Sequence, residues 1–379
     1  MMQPYRTPLA GALMLLAASC TAAVVADQPE QPVGVGGPTL DLDHPDNYAA
    51  PNYPAHYDLR ARAGDNTPID NPVTDRGATL GRVLFFDKNL SVNRAVACAS
   101  CHAQSAGFGD PKTLSTGFNG GTTARHSMRL ANARFYGGGQ MFWDRRATDL
   151  EDQALHPVLD SVEMGFSAAN GGVPALLVRI RTTSYYQTLF RWAFGDSVVT
   201  EARIRSAIAQ YIRSMVSTGS KFDDGLEAVG AGNGPPPVAL PNFTAEENQG
   251  LRLFVAPPGQ GGAGCAGCHV VPTMALDPQS RSNGLDAGET TIFKAPSLKN
   301  VAVTGPYMHD GRFATLVEVI EFYDHGVRPG PALDRRLTNP DGSPRRLGLT
   351  PGQKAALVAY LRTLTDQGLL TDRRFSTPF

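Results

Sequence analysis

The chain has little with which to cross-link itself. It holds five cysteines in 379 residues, and four of them fall into two tight clusters, leaving only Cys20 outside. That excludes a disulfide framework. Nor is there an excess of charge: 34 Lys and Arg stand against 35 Asp and Glu, so nothing in the balance points to nucleic acid or an acidic surface as a partner. Beyond the N-terminal segment no run is long and apolar enough to span a bilayer. No sustained alternation of apolar and polar residues argues for a sheet. Tryptophan is scarce, with two in the chain. With 42% hydrophobic residues, the chain can still bury a full core, and its length suggests two domains.

The cysteine clusters are Cys98-Ala-Ser-Cys101-His102 and Cys265-Ala-Gly-Cys268-His269. Cys-x-x-Cys-His is the attachment signature of c-type haem. The two thiols form thioethers to the haem edge, and the following residue presents an imidazole to the iron. One copy reads equally well as a redox dithiol or half a zinc site followed by a chance histidine. Two complete copies weigh against that and predict two covalently bound haem c groups.

Residues 1–26 read as a secretory signal, with a charged start through Arg6, an apolar stretch from Leu9 to Ala18 and small residues after it. Cleavage after Ala26 fits one reading. Ala17-Ala18-Ser19-Cys20 also resembles a lipoprotein box, which would leave a lipid anchor at Cys20 as the sole membrane attachment. Either way export to the periplasm is expected, which suits haem attached outside the cytoplasm.

Residues 27–55, rich in Pro, Asp and Gly, read as an extended leader, and 225–241 (GLEAVGAGNGPPPVALP) as an interdomain linker. Haem domains at 56–224 and 242–379 follow, one signature in each. An internal repeat agrees: Gly81-Arg82-Val83-Leu84-Phe85-Phe86 and Gly250-Leu251-Arg252-Leu253-Phe254 precede the two signatures at similar distances. Other periodic segments are helical. Ile204, Ile208, Ile212 and Met215 form one stripe, and Leu357, Leu361 and Leu364 another. Thr148-x-x-Glu151 and Thr244-x-x-Glu247 read as capping boxes, the first opening a helix that Pro157 stops. The expected fold is mainly α, two cytochrome c-like haem domains with long Gly-rich loops.

Several segments in order, LGRVLFFDKNLS, FWDRRATDLEDQA and APSLKNVAVTGPYMHDGRFATLVEVIEFYDHG, give the chain a resemblance to the bacterial di-haem cytochrome c peroxidase superfamily, and within it to the MauG-type branch. The resemblance implies hydrogen peroxide as oxidant and a protein as substrate or redox partner. It also implies an inter-haem indole at Trp143 and distal-pocket groups at Gln153 and Glu163. A carboxylate beside an open iron can move a proton between peroxide oxygens, so Glu163 is the candidate acid/base and Gln153 the orienting group. Tyr323 holds the place where the peroxidase branch has a ligating Met, and Leu316, Val319, Ile320 and Tyr323 share one helical face. Met308 is the competing ligand. Phe118 stands where peroxidases carry a distal His, which leaves His126 and His156 as other candidates near the first iron. The resemblance further implies a calcium ion, with backbone oxygens of Thr304 and Pro306 and the carbonyl of His126 as ligands. The alternatives are a cytochrome c peroxidase fed by a small redox protein and a di-haem electron carrier without catalysis.

Overall fold

Two glycines decide how the helices meet. The computed structural model describes residues 37–379, apart from 58 and 233, together with the first two; the expected signal and Cys20 lie outside the described residues. Helix α1 (Asp75–Phe86) starts at Thr74, whose hydroxyl accepts from the Gly77 amide. It crosses helix α4 (Glu201–Ser214) so closely that a Cβ at Gly81 would lie 1.9 Å from the Ala207 carbonyl oxygen. The second half repeats this crossing. Helix α6 (Ala245–Val255) meets α8 (Pro351–Arg362), and a Cβ at Gly250 would lie 1.9 Å from the Ala356 carbonyl. Aromatic residues follow the same pattern: Phe85 packs on Tyr211 at 5.3 Å and on His102 at 6.4 Å, Phe254 on Tyr360 at 4.9 Å and on His269 at 6.4 Å. The repeat read from the sequence is thus a repeat of packing.

The chain is mainly helical, and the paired strands are β1 (His269–Val270) and β2 (Ala275–Leu276), antiparallel. One apolar core gathers Tyr48, Leu80, Phe85 and the stripe Ile204, Ile208, Ile212 and Met215; the other gathers Leu251, Phe254, Leu316, Ile320, Leu357, Leu361 and Leu364. The C-terminal end returns to the first core. Phe375 packs on Tyr48 and Tyr211, and Gln104 donates to the carbonyls of Leu369 and Asp372. Tyr48, within the expected leader, is 2% exposed and donates its hydroxyl to Arg374.

The Thr244 box forms as expected, but the Thr148 box does not. Helix α2 (Leu150–Gln153) is capped by Asp149, which accepts from the Asp152 amide. Glu151 turns away to make a two-pronged ion pair with the buried Arg213, at 2.5 and 2.8 Å. A buried guanidinium without a carboxylate is costly, and that outweighs a cap for which a neighbouring Asp is available. Pro157 lies in the first turn of a separate short helix, α3 (His156–Leu159), so it starts a helix rather than stopping one. Helix α5 (Lys221–Ala228) runs into the segment expected as a linker.

The crossings carry a direct test. Overpacking typically costs about 1–3 kcal/mol, so Gly81→Ala and Gly250→Ala should each lower the unfolding midpoint in thermal melts. Gly259→Ala, with nothing within 4 Å of the added Cβ, should leave it unchanged.

Candidate active site

Cys98–Cys101 form a single helical turn, and the His102 amide donates to the Cys98 carbonyl at 3.0 Å. The ring is then fixed by its own hydrogen bond: Nδ1 lies 2.9 Å from the Phe108 carbonyl. That contact places the proton on Nδ1 and leaves the Nε2 lone pair free to ligate. Burial lowers the His102 pKa, favouring the neutral ring that a metal needs. Burial also pushes the Cys98 thiol up to about 12. A redox dithiol needs an accessible thiolate, so this environment suits a cysteine consumed in a covalent bond.

Around these residues is a cavity of about 400 Å³, lined also by Gln153, Glu163, Met164 and Trp143. Gln153 sits at the end of α2. Glu163 lies in a turn built on Asp160, whose Oδ1 accepts from the amides of Val162 and Glu163. Burial, helped by the nearby Asp160 charge and opposed by Arg146, raises the Glu163 carboxyl to about 7. The geometry therefore brings Gln153, Glu163 and His102 to one cavity. Phe118 is not among the lining residues. Its amide donates to the Glu163 carbonyl and its own carbonyl accepts from Asn93. His156 is also outside, 3.2 Å from Asp152. His126 borders the cavity, with Nδ1 on the carbonyls of Lys112 and Thr113.

The second cavity, about 490 Å³, is lined by Cys265, Cys268 and His269 and, across from them in sequence, by Leu316, Val319, Ile320 and Tyr323. The predicted helical face is the lining face. Helix α7 (Leu316–Glu321) widens into a π-turn at Phe322–Gly326 that carries Tyr323, a local distortion frequent at functional sites. Burial pushes the Tyr323 hydroxyl up to about 12, against the hydrogen bond from Asn283. Met308 lines the same cavity, so both candidate ligands are present. Burial, with Arg129 and Arg336 adding to it, lowers His269 to about 4.

One indole serves both cavities. Trp143 lines each of them, with Nε1 donating to the His126 carbonyl at 2.8 Å. Its own carbonyl accepts from the Lys294 amide at 2.6 Å. Its ring meets His309 edge-on at 6.4 Å, and His309 stacks on Phe293 at 4.2 Å.

Two cations beside the cavities test whether haem fits. Lys294 is 3% exposed, lines the first cavity, and among the described residues has only the Met128 sulfur at 3.4 Å and the Tyr136 ring as partners. Burial lowers its ammonium to about 8. Arg129, half-buried, borders both cavities and bonds to the Ser297 carbonyl and the Thr304 hydroxyl, with no carboxylate partner among the described residues. The buried Tyr136 hydroxyl has no hydrogen-bond partner among the described residues. Unpaired buried charge is strongly unfavourable. Haem propionates are anions of the kind these groups lack, so the residues fit the cofactor. Sequence reasoning missed all three, because nothing in their local pattern separates them from surface cations and a core tyrosine.

Of the three backbone oxygens expected at calcium, the His126 carbonyl already accepts from the Trp143 indole; the Thr304 hydroxyl, not its carbonyl, accepts from Arg129. Among the described residues, the carboxylate–histidine groups with metal-ligand spacing lie elsewhere, at Asp286/Glu289/His309 and Glu321/Asp324/His325.

Residues 75–229 match the family described as di-haem cytochrome c peroxidase. The methylamine utilization protein MauG of Methylophilus methylotrophus is 31% identical over 316 residues, covering 80% of this chain and 86% of the relative. A cytochrome c551 peroxidase of Nitrosomonas europaea is 33% identical over 268 residues, 64% of this chain and 71% of the relative. The crystal structure of a MauG-like protein associated with microbial copper homeostasis superposes with a TM-score of 0.67 at 31% identity, covering 88% of this chain and 99% of that one. Likeness of this extent, over most of both chains, makes the protein a di-haem oxidoreductase of the cytochrome c peroxidase family that includes MauG.

Proposed function

We propose that this chain is an exported, periplasmic enzyme with two cytochrome c-like haem domains, using hydrogen peroxide to oxidise an aromatic side chain, most simply a tryptophan, on a docked partner protein. The observation that carries this reading is Trp143, one indole shared by both cavities. Such a side chain lets charge pass between the two sites, so the substrate need not enter either.

Cys98 and Cys101, and Cys265 and Cys268, would hold two haems, which would supply redox iron able to cleave the peroxide bond and hold oxidising equivalents. Each protein group then has a separate task. His102 and His269 would offer Nε2 to the two irons, and Tyr323 would offer its oxygen to the second. A phenolate favours ferric and higher states, whereas Met raises the potential. Gln153 orients peroxide or water in the first cavity. Glu163, with a carboxyl near neutral pKa, takes a proton from the inner peroxide oxygen and returns it to the leaving one. Trp143 relays charge through its π-system. A calcium ion held by carbonyls of Thr304, Pro306 and His126 is part of the same reading. Met308 favours a second reading, a peroxidase fed by a small redox protein, if its sulfur rather than the Tyr323 oxygen takes the second iron.

Four outcomes are expected. Denatured wild-type protein should retain two covalent haems by mass, and Cys98→Ala with Cys101→Ala should retain one. Glu163→Gln should slow peroxide consumption on the order of a hundredfold or more in stopped-flow assays. The base is the ionised carboxylate, so wild-type rates should rise with pH through about 7, and the Gln variant should lose that rise. Trp143→Phe should still consume peroxide while oxidation of the partner, followed by mass spectrometry, fails; full partner oxidation would leave Trp143 a packing residue.

A further inference from the structure

Tyr323 and Met308 converge on a single amide. Asn283 Nδ2 lies 3.4 Å from the Tyr323 hydroxyl and 3.5 Å from the Met308 sulfur. All three side chains line the second cavity. The backbone on either side of Asn283 is tied down. The Ser282 amide donates to Ala332 and the Ser282 carbonyl accepts from Asp334, while the Gly284 carbonyl accepts from Arg328. Backbone ties thus flank Asn283 on both sides. Gly284 sits at φ +70, where a Cβ would approach the Arg328 carbonyl to 2.5 Å, so only glycine permits this approach. Met308 is also in the left-handed region, at φ 74, which is uncommon for such a side chain.

We infer that Asn283 is a positioning residue that selects and tunes the axial ligand of the second haem, donating to the Tyr323 oxygen while its same amide group holds the Met308 sulfur aside. The inference rests on the reading of Tyr323 as that ligand. A hydrogen bond donated to a phenolate stabilises the anion and draws electron density from the metal–oxygen bond. Groups beyond the ligand commonly set metal-site properties in this way. With the donor present, the second haem is held at a higher potential than a bare phenolate would give. That keeps the ligand suited to oxidised states while leaving the stored oxidising equivalents strong enough to pass on.

The test uses full-length protein carrying both haems, with Asn283→Leu removing the donor and Asn283→Asp keeping the shape but replacing the amide by a carboxylate. Losing one charge-assisted hydrogen bond should change the ferric-to-ferrous ratio of the second haem by about tenfold at fixed potential, a fall of ~59 mV for one electron, read by spectroelectrochemical titration. The phenolate vibrations in resonance Raman spectra should shift with it. If both variants keep the wild-type potential and vibrations while Tyr323→Phe abolishes the low-spin phenolate signal, the role of Asn283 is overturned and the ligand assignment stands. If Tyr323→Phe leaves that signal unchanged, the ligand assignment itself fails, and the inference with it.

Discussion

Backbone-on-backbone contact between helices, made twice, is the constraint on which both cavities depend. Where Gly81 meets Ala207 and Gly250 meets Ala356, no side chain separates the helices. The aromatic residue that follows each glycine is thereby brought against the histidine of the adjoining signature. A methyl group at either glycine would force the helices apart and loosen the wall behind the imidazole. Close packing transmits such changes because cores do not absorb extra volume cheaply. The chain's end adds a further tie by crossing back to the first core through Phe375.

Charge sets the second constraint. Lys294, buried, and Arg129, half-buried, lie beside the cavities with no carboxylate among the described residues to pair them, an arrangement that favours binding an anionic cofactor over a stable empty state. Near the first cavity the sign reverses at Glu163, where burial and Asp160 hold the carboxyl near neutrality. A group balanced between its two forms at working pH is suited to carry a proton in both directions. Lys294 links these regions, since its amide also holds the Trp143 carbonyl.

Much of this was legible in the sequence, for identifiable reasons. Helical periodicity alone put Leu316, Val319, Ile320 and Tyr323 on one face, and that face lines the second cavity. The glycine-led repeat exposed the duplicated crossing, because close approach leaves a mark at a single position. The capping box at Thr148 was misread by one residue, since Asp149 caps equally well and Glu151 answers a buried Arg213 far along the chain. Asn283, Arg129 and Lys294 gave no local signal. Their roles come from residues brought together only by folding, and a lone Asn or Lys carries no period to read. Met308 and Tyr323 were both visible as candidate ligands, but not the shared amide between them.

Everything proposed for the reaction turns on two sites sharing one oxidation through Trp143. Rapid mixing of the wild-type di-haem protein with one equivalent of peroxide, in the absence of any partner, tests it most directly. Absorbance and Mössbauer spectra resolve the two irons. If peroxide reacts at the His102 cavity and the charge is shared, both irons change together. A change confined to the first iron, with the second remaining ferric and unaltered throughout, would contradict it.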